Sequence, residues 1–348
     1  MKSVRIVGSG LIGTSIGLAL SRSGVAVEMV DSDARAQNLA QELVGQLLNL
    51  TPDLVIFAAP TSTLSETIDG EYALNPQAGF IDIGSIKTKP KAIVESSLLP
   101  TARFCPTHPM AGREVGGPDS AQGDLFEGRS WIVDFSGVDR DVIELVEELI
   151  KRCGAQKVEM DSNFHDNAVA LVSHLPQILS SALAKELLEG APKSLEVAGS
   201  GLRDTTRIAG SSPELWSEII SHNSVAIRPL LRQLIHSLSD LEKELEDSES
   251  VKKFIAAGNE GRGKIPGKHG GKAREYTYVP IVIDDKPGQL RLIFDECAIT
   301  NVNVEDLSIE HSPGQEKGLI TLAMSRDDAE RFSTHMASKG WSVHPWRS

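Results

Sequence analysis

Two groups of residues in this chain stand at spacings that chemistry can use. The first, Gly8-Ser9-Gly10-Leu11-Ile12-Gly13, directly follows the β-branched run Val4 to Val7 and opens a stretch of helical periodicity. In that context a Gly-x-Gly-x-x-Gly spacing holds a dinucleotide: Gly8 permits a tight turn, Gly10 lets backbone approach a pyrophosphate, and Gly13 lets helix and strand pack closely. The helix that starts at Leu11 and Ile12 then offers its positive end to the phosphates. Asp31 ends the next strand, where a carboxylate hydrogen-bonds the adenine ribose hydroxyls and repels an added 2′-phosphate. NAD is therefore the expected cofactor, with Arg35 keeping NADP as a minor option.

The second group lies at successive strand ends. Ala58-Ala59-Pro60-Thr61 supplies small residues that suit close approach of a nicotinamide ribose, with Ala59, Pro60 and Thr61 as the contacts. Asp82-Ile83-Gly84-Ser85-Ile86-Lys87 and Thr107-His108-Pro109-Met110-Ala111-Gly112-Arg113-Glu114 follow at the same sheet edge. A hydroxyl at Ser85, an imidazole at His108 and a carboxylate at Glu114 would thus converge on the cofactor crevice.

These residues need a scaffold, and its pattern is legible. Up to about residue 160, short strands (Val4 to Val7, Val25 to Val30, Leu54 to Ala59, Phe80 to Ile83, Trp131 to Val133) alternate with helical stretches, which means parallel βαβ units. The expectation is an α/β Rossmann domain with a doubly wound sheet over 1–160. From 161 to 257 strand signals vanish, and segments such as Ala168 to Leu188 and Leu215 to Leu245 carry apolar residues at three- and four-residue spacing. An all-helical second domain is expected there, with Ser212-Pro213-Glu214 as a helix start. Residues 258–275, rich in Gly and basic groups, read as an exposed flexible linker. Residues 276–348 follow the order βαββαβ of a ferredoxin-like α+β module.

Composition narrows the function. A chain of 348 residues exceeds the usual size of one hydrophobic core. Its net charge of −13 speaks against nucleic acid as a partner, since phosphate binding needs clustered Lys and Arg. The first strand begins almost at Met1, and no apolar run approaches the length of a membrane span, so neither secretion nor a membrane is expected. Cys105, Cys153 and Cys297 are far apart and suggest neither disulfides nor a metal site, which points to the cytoplasm.

The paired motifs resemble the prephenate and arogenate dehydrogenases of tyrosine biosynthesis: a Gly-Ser-x-Lys strand end with His-Pro-Met-Ala-Gly-x-Glu. Ser173-His174-Leu175-Pro176 is similar to the family's Ser-His-Leu-Pro-His stretch, and Arg203-Asp204-Thr205-Thr206-Arg207-Ile208-Ala209 to its Arg-Asp-x-Thr-Arg-Ile-Ala segment, with Trp216 at the family spacing. Gln177 stands where the family usually has a second His, and Arg113 where Ser or Thr is common. The resemblance covers roughly residues 1–257. It implies oxidative decarboxylation of prephenate with NAD, with arogenate as the alternative substrate.

Under that resemblance His108 is the candidate general base, since a neutral imidazole suits removal of a hydroxyl proton near neutral pH. Ser85 would orient that ring or the nicotinamide. Arg207 would grip a substrate carboxylate through its planar fork. Glu114 and Asp204 would pair with cations at the pocket mouth, and His174 and Trp216 would line the substrate's side-chain end. A homodimer through the helical domain is expected, because its apolar helix faces would otherwise meet water.

The C-terminal segment Ile283-Asp284-Asp285-Lys286-Pro287-Gly288-Gln289-Leu290, with Asn301-Val302-Asn303-Val304, resembles an ACT domain, an amino-acid-sensing module. The resemblance implies an allosteric site at Asp284, Pro287, Gly288, Asn301 and Asn303, with L-tyrosine as effector. Two other readings fit parts of the pattern: a β-hydroxyacid dehydrogenase, which relies on a helical Lys, and a non-catalytic NAD and amino-acid sensor.

Overall fold

Strands of small and β-branched residues build the first sheet of the computed structural model, which describes residues 1–45, 51–112, 116–265, 276–311 and 317–345. The chain divides into two compact units, 1–236 and 237–348. In the first, β1 (Ser3–Val7), α1 (Leu11–Arg22), β2 (Ala26–Val30), α2 (Ala34–Val44), β3 (Leu54–Phe57), α3 (Thr61–Leu74), β4 (Gly79–Asp82) and α4 (Thr88–Glu95) alternate as βαβ units. β5 (Phe104–Pro109), β6 (Ser130–Val133), α5 (Arg140–Arg152) and β7 (Gln156–Glu159) complete the sheet.

The strand order is β2-β1-β3-β4-β5-β6-β7. The chain leaves β1 for β2 on one side and crosses to β3 on the other, so the sheet splits its connections between β1 and β3. Ligands of open α/β sheets bind at such a switch point, beyond the carboxyl ends of the strands. Every residue of β3 and β4 is buried, as central parallel strands covered on both faces require. One expectation fails: β6 runs antiparallel to β5, although every other neighbouring pair in the sheet is parallel. The chain between β5 and β6 has no crossover α-helix among its described residues, only a short 3-10 turn at Pro118–Ser120. A parallel return needs a longer crossover.

The glycine turn obeys its spacing. Gly8 adopts φ +117, and a Cβ there would fall 2.5 Å from the Ala58 backbone. A Cβ at Gly13 would fall 2.2 Å from the Gly8 carbonyl oxygen. Both positions exclude side chains, so β1, α1 and the end of β3 come together.

Helices follow: α6 (Ser162–Val169), a π turn (Ala170–His174), α7 (Leu175–Glu186), α8 (Pro192–Leu195), α9 (Ser200–Thr206), α10 (Pro213–His222) and α11 (Ser224–Lys243). The π turn immediately precedes Leu175-Pro176; a proline lacks the N–H that an α-helical turn would use, and the ladder shifts register there. Ser212 caps α10 by accepting from the Leu215 N–H, with Pro213 in the first turn. The expected single helix from Leu215 to Leu245 is instead broken at Asn223, whose side chain has another task described below.

In the second unit α12 (Ser248–Gly263) is exposed and reaches further than the sequence pattern predicts. Gly258 to Gly263, expected in a linker, are its last turns. A Glu260–Lys264 pair at 3.0 Å supports them, and no proline intervenes before Pro266. Residues 266–275 lie outside the described residues. Beyond them β8 (Thr277–Asp284), α13 (Gln289–Ile299), β9 (Asp306–His311), β10 (Lys317–Met324), α14 (Arg326–Ser338) and β11 (Ser342–Val343) form an antiparallel sheet in the order β11-β8-β10-β9. Its core holds Val279, Ile281, Ile293, Leu322, Phe332 and Met336. No helix among the described residues is long and apolar enough to cross a membrane.

Candidate active site

A cavity of about 420 Å³ opens at the switch point of the first unit. Gly10, Leu11 and Ile12 line it from the start of α1, Ala58 to Thr61 from the end of β3, Gly84 to Ile86 from the end of β4, and His108 from the end of β5. Ser211, Leu215, Trp216, Glu218 and His222 close it from the helical side. Thus Gly10, Leu11, Ile12, Ala59, Pro60, Thr61, Ser85, His108 and Trp216 share one wall system. The sequence had them far apart.

The phosphate end fits a dinucleotide. A Cβ on Gly10 would meet no atom within 4 Å, α1 has no side-chain cap for its first N–H groups, and Gly10, Leu11 and Ile12 line the cavity. Asp31 follows β2; one carboxylate oxygen accepts from the Ser9 N–H at 2.6 Å and the other from Asp33 N–H at 2.9 Å. The acid is therefore fixed beside the glycine turn.

His108 keeps part of its ring open to the cavity while the rest is packed. Burial, reinforced by His165, Lys87 and His174, pushes its pKa well below the ordinary value and leaves the ring neutral. Behind it, His108 Nδ1 lies 2.9 Å from His165 Nε2, and His165 Nδ1 lies 2.8 Å from the Asp166 carboxylate. Asp166 also accepts from the Lys87 and Thr88 backbone N–H groups at 2.8 and 2.9 Å and from the Thr88 hydroxyl. Burial alone would raise that carboxyl, but the hydrogen bonds from His165, Thr88 and Lys87 outweigh it and hold the pKa below the usual range. α4 has no side-chain cap of its own, so Asp166 caps it from a helix 78 residues further along the chain.

Two further buried groups brace the arrangement. The Lys87 ammonium is held by Asp82 and by the Thr107 carbonyl, which locks the ends of β4 and β5 side by side. The Asn223 amide donates to the Asp166 carbonyl at 2.7 Å and meets His174 Nδ1 at 3.0 Å, tying the break between α10 and α11 to α6 and the π turn. Across the cavity, Glu218 accepts from the Ser62 N–H at 2.8 Å and so caps α3 from the helical side.

Not every expected residue reaches the cavity. His174 is buried behind its wall, edge-on to the Trp216 ring at 6.1 Å between centroids; burial lowers its pKa to about 4. It supports Trp216 rather than facing the cavity. Asp204 and Arg207 are exposed and are not among the residues that line the cavity; in the 3-10 turn that begins at Arg207 (Arg207–Gly210) the Ile208 carbonyl accepts from the Gln177 amide at 3.0 Å. Glu114 lies outside the described residues. Asp284, Pro287 and Gly288 sit at the turn that leads into α13, and Asn301 and Asn303 at the turn that follows it, at the opposite end of that helix, so one copy of the unit does not bring the two groups together; Gly288 has φ +91 and Asn301 φ +52.

His165, Asp166, Lys87, Asp82, Thr88, Asn223, Glu218 and His222 were given no role in the sequence. One signal was available for the first two. A His-Asp pair one turn ahead of Val169 and Ala170 falls on the stripe that a helix buries, where polar groups need partners.

A switch-point crevice with an open helix N-terminus and a neutral imidazole at its far end defines a dinucleotide-dependent dehydrogenase. Comparison with known proteins agrees. Residues 16–159 match the family described as prephenate dehydrogenase, nucleotide-binding domain, and residues 161–257 that described as prephenate dehydrogenase, dimerization domain. A probable prephenate dehydrogenase of Streptomyces niveus is 27% identical over 99% of this chain and all of its own length. Prephenate dehydrogenase from Aquifex aeolicus, solved with hydroxyphenyl propionate and NAD+, superposes with a TM-score of 0.67 at 26% identity over 75% of this chain and 98% of that one. Arogenate dehydrogenase from Synechocystis superposes with a TM-score of 0.62 at 25% identity over 75% and 99% of the two chains. The chain belongs to the prephenate dehydrogenase family of NAD-dependent oxidoreductases.

Proposed function

We propose that the chain converts prephenate to 4-hydroxyphenylpyruvate, with loss of carbon dioxide and with NAD as oxidant, on the way to L-tyrosine. The observation that carries this reading is a neutral imidazole, His108, on the wall of the cavity that Gly10 and Ala59 to Thr61 also line. Gly8, Gly10, Leu11, Ile12 and Gly13 hold the pyrophosphate, Asp31 the adenine ribose, and Ala59, Pro60 and Thr61 the nicotinamide ribose. NAD, when bound, supplies the acceptor for the hydride that leaves C4 of the substrate ring.

His108 takes the proton of the 4-hydroxyl at Nε2, and the O–H electron pair becomes the second bond of a carbonyl. The bond from the ring to its carboxylate then breaks, its electron pair aromatises the ring, and the phenolate oxygen recovers the proton from the imidazolium. Base catalysis of this kind contributes roughly 10²- to 10⁴-fold. Ser85 orients the reacting hydroxyl or the nicotinamide from the end of β4. Trp216 lines the substrate's side-chain end.

Arg207 supplies a cation for a substrate carboxylate. Among the described residues the cavity wall carries no Lys or Arg, and Arg207 is exposed only a few residues before Ser211. In this reading Glu114 and Asp204 pair with neighbouring cations and gate the pocket, and His174 acts through Trp216. The helical region leaves Leu171, Val172, Leu179, Leu183 and Leu215 exposed, and a homodimer covers such faces. The C-terminal module is an ACT domain that binds L-tyrosine at an interface between two such modules, through Asp284, Pro287, Gly288, Asn301 and Asn303, and shifts a two-state equilibrium of the dimer toward the less active form.

Arogenate, which carries an amino group in place of the side-chain keto group, is the competing substrate. NADH formation from prephenate, arogenate and 3-hydroxy acids, with His108→Asn as control, tests the assignment. Full turnover of His108→Asn, or oxidation of the hydroxy acids alone, overturns it. Tyrosine inhibition that survives Asp284→Ala and Asn301→Ala removes the regulatory part, and a monomer in light scattering removes the dimer.

A further inference from the structure

The tautomer of His108 follows from the groups behind it. Four donors converge on the Asp166 carboxylate: His165 Nδ1–H, the Lys87 and Thr88 N–H groups and the Thr88 hydroxyl. An ionised carboxylate only accepts, so His165 must carry its proton on Nδ1. If His165 carries this single proton, its Nε2 is a lone pair, and His108 Nδ1, 2.9 Å away, is the donor. That leaves Nε2 of His108 as the unprotonated nitrogen, the form a base needs.

We propose that His165, held by Asp166, is a positioning residue that fixes His108 in the Nδ1–H tautomer and shares the positive charge when His108 takes the substrate proton. The inference rests on the reading of His108 as the base. In water a lone imidazole favours the opposite tautomer, with the proton on Nε2 and no base at that atom. The fold must impose the other form, and the hydrogen bond at the second nitrogen is what sets a histidine tautomer. Asp166 also ties this pair to the N-terminus of α4, just after the Ser85 turn, so the two groups facing the substrate are referenced to one carboxylate. A wrong tautomer in an otherwise intact histidine site costs about 10⁴-fold in a serine protease triad.

A buried imidazole needs partners for both nitrogens whatever its task, and packing alone could account for His165. Packing predicts no change in the state of His108. The groups that face His108 are His165 and, through it, Asp166 from α6, Lys87 with its partner Asp82 from the end of β4, and His174 from the π turn; Glu218 and His222 of α10 share the cavity wall. All but His165 itself are unchanged in sequence in a His165 variant.

The test is ¹⁵N NMR of the histidine-labelled full-length chain without nucleotide, with steady-state kinetics beside it. In the wild type, His108 should show a protonated Nδ1 and a bare Nε2. His165→Leu should move His108 toward the Nε2–H form and lower kcat by roughly 100-fold or more, as loss of a base does. KM for NAD should stay within about threefold, and the pH midpoint of kcat/KM should shift. His165→Gln, whose amide oxygen can accept from His108 Nδ1, should restore part of the rate. A wild-type His108 protonated on Nε2 overturns the inference without any variant. So does His165→Leu with unchanged tautomer, rate and pH profile while His108→Asn is inactive. If His108→Asn keeps its rate, the base assignment itself fails, which is a separate result.

Discussion

The ammonium of Lys87 is buried against the carboxylate of Asp82, at the end of the strand next to the one that carries His108. Burial pushes Asp82 up and Lys87 down, and their attraction opposes both shifts. A buried pair of this kind is costly to break from one side, because the remaining charge has lost its water and its partner.

Lys87→Met should therefore destabilise the chain by about 3–5 kcal/mol at neutral pH. Its pH dependence has a definite sign. With the ammonium gone, burial still outweighs the hydrogen bonds that Asp82 accepts from the Gly84 and Thr107 N–H groups, and its folded pKa lies above the unfolded value of about 3.9. The variant gains from protonation, so its stability is highest in acid and falls as pH rises through the folded pKa. Urea denaturation at pH 5 and pH 8 checks this; a deficit that does not grow with pH contradicts it.

His174 gives the opposite slope. Its folded pKa is about 4 because burial disfavours the charged ring, against about 6.5 unfolded. Between those values the unfolded chain binds the extra proton, so stability is complete above pH 6.5 and is lost as pH falls toward 4. At 1.36 kcal/mol per unit the contribution is at most about 3 kcal/mol. His174→Gln, which keeps an acceptor for Asn223, should flatten the profile from pH 4 to 6.5. An identical slope in variant and wild type excludes His174 as its source.

Asp31 does two jobs that substitution can separate. It accepts from the Ser9 N–H and so supports the glycine turn, and in the proposed binding mode it presents a negative charge to the adenine ribose. Asp31→Asn should retain the turn, since the amide oxygen can still accept, but lose the repulsion of a 2′-phosphate. The ratio of kcat/KM for NADP over NAD should rise about tenfold or more, with little change in melting temperature. A constant ratio would mean that discrimination lies elsewhere.

The glycine turn, the strand ends and the βαββαβ order were legible because each rests on local spacing. β7, Gln156-Lys157-Val158-Glu159, escaped notice because it is a mostly exposed strand with one apolar residue. β5 carries Pro106 and Pro109, and its antiparallel partner cannot be read from alternation alone. His165, Asp166 and Asn223 were hidden for a different reason. Apart from the adjacent His165–Asp166 pair, their partners lie 49 to 79 residues away, and no periodicity reports a contact that depends on how α6 and α10 meet the sheet. Lys87 was quoted within a motif, but only burial shows why its length and charge are needed.

Arg207 carries the sharpest test of substrate recognition. A ring carboxylate and a side-chain carboxylate need cationic partners, and the described cavity wall has only His108 and His222 as basic groups. Arg207→Lys keeps the charge but loses the planar fork, so KM for prephenate should rise at least about tenfold while KM for NAD holds. Equal KM values in variant and wild type would remove Arg207 from the site.

Gly10 and Gly13 separate binding from folding. A methyl group on Gly13 would meet the Gly8 carbonyl oxygen at 2.2 Å and the Ala58 Cβ at 2.9 Å, both in the packed junction of β1, α1 and β3. Gly13→Ala should therefore lower the melting temperature of the ligand-free chain, with overpacking costing about 1–3 kcal/mol. A methyl group on Gly10 meets nothing of the protein within 4 Å, and α1 starts at the next residue, so Gly10→Ala should fold normally. In the proposed binding mode a pyrophosphate enters the space it fills, so NAD affinity measured by calorimetry should fall at least about tenfold. If Gly10→Ala binds NAD as the wild type does, the phosphates do not lie over this turn.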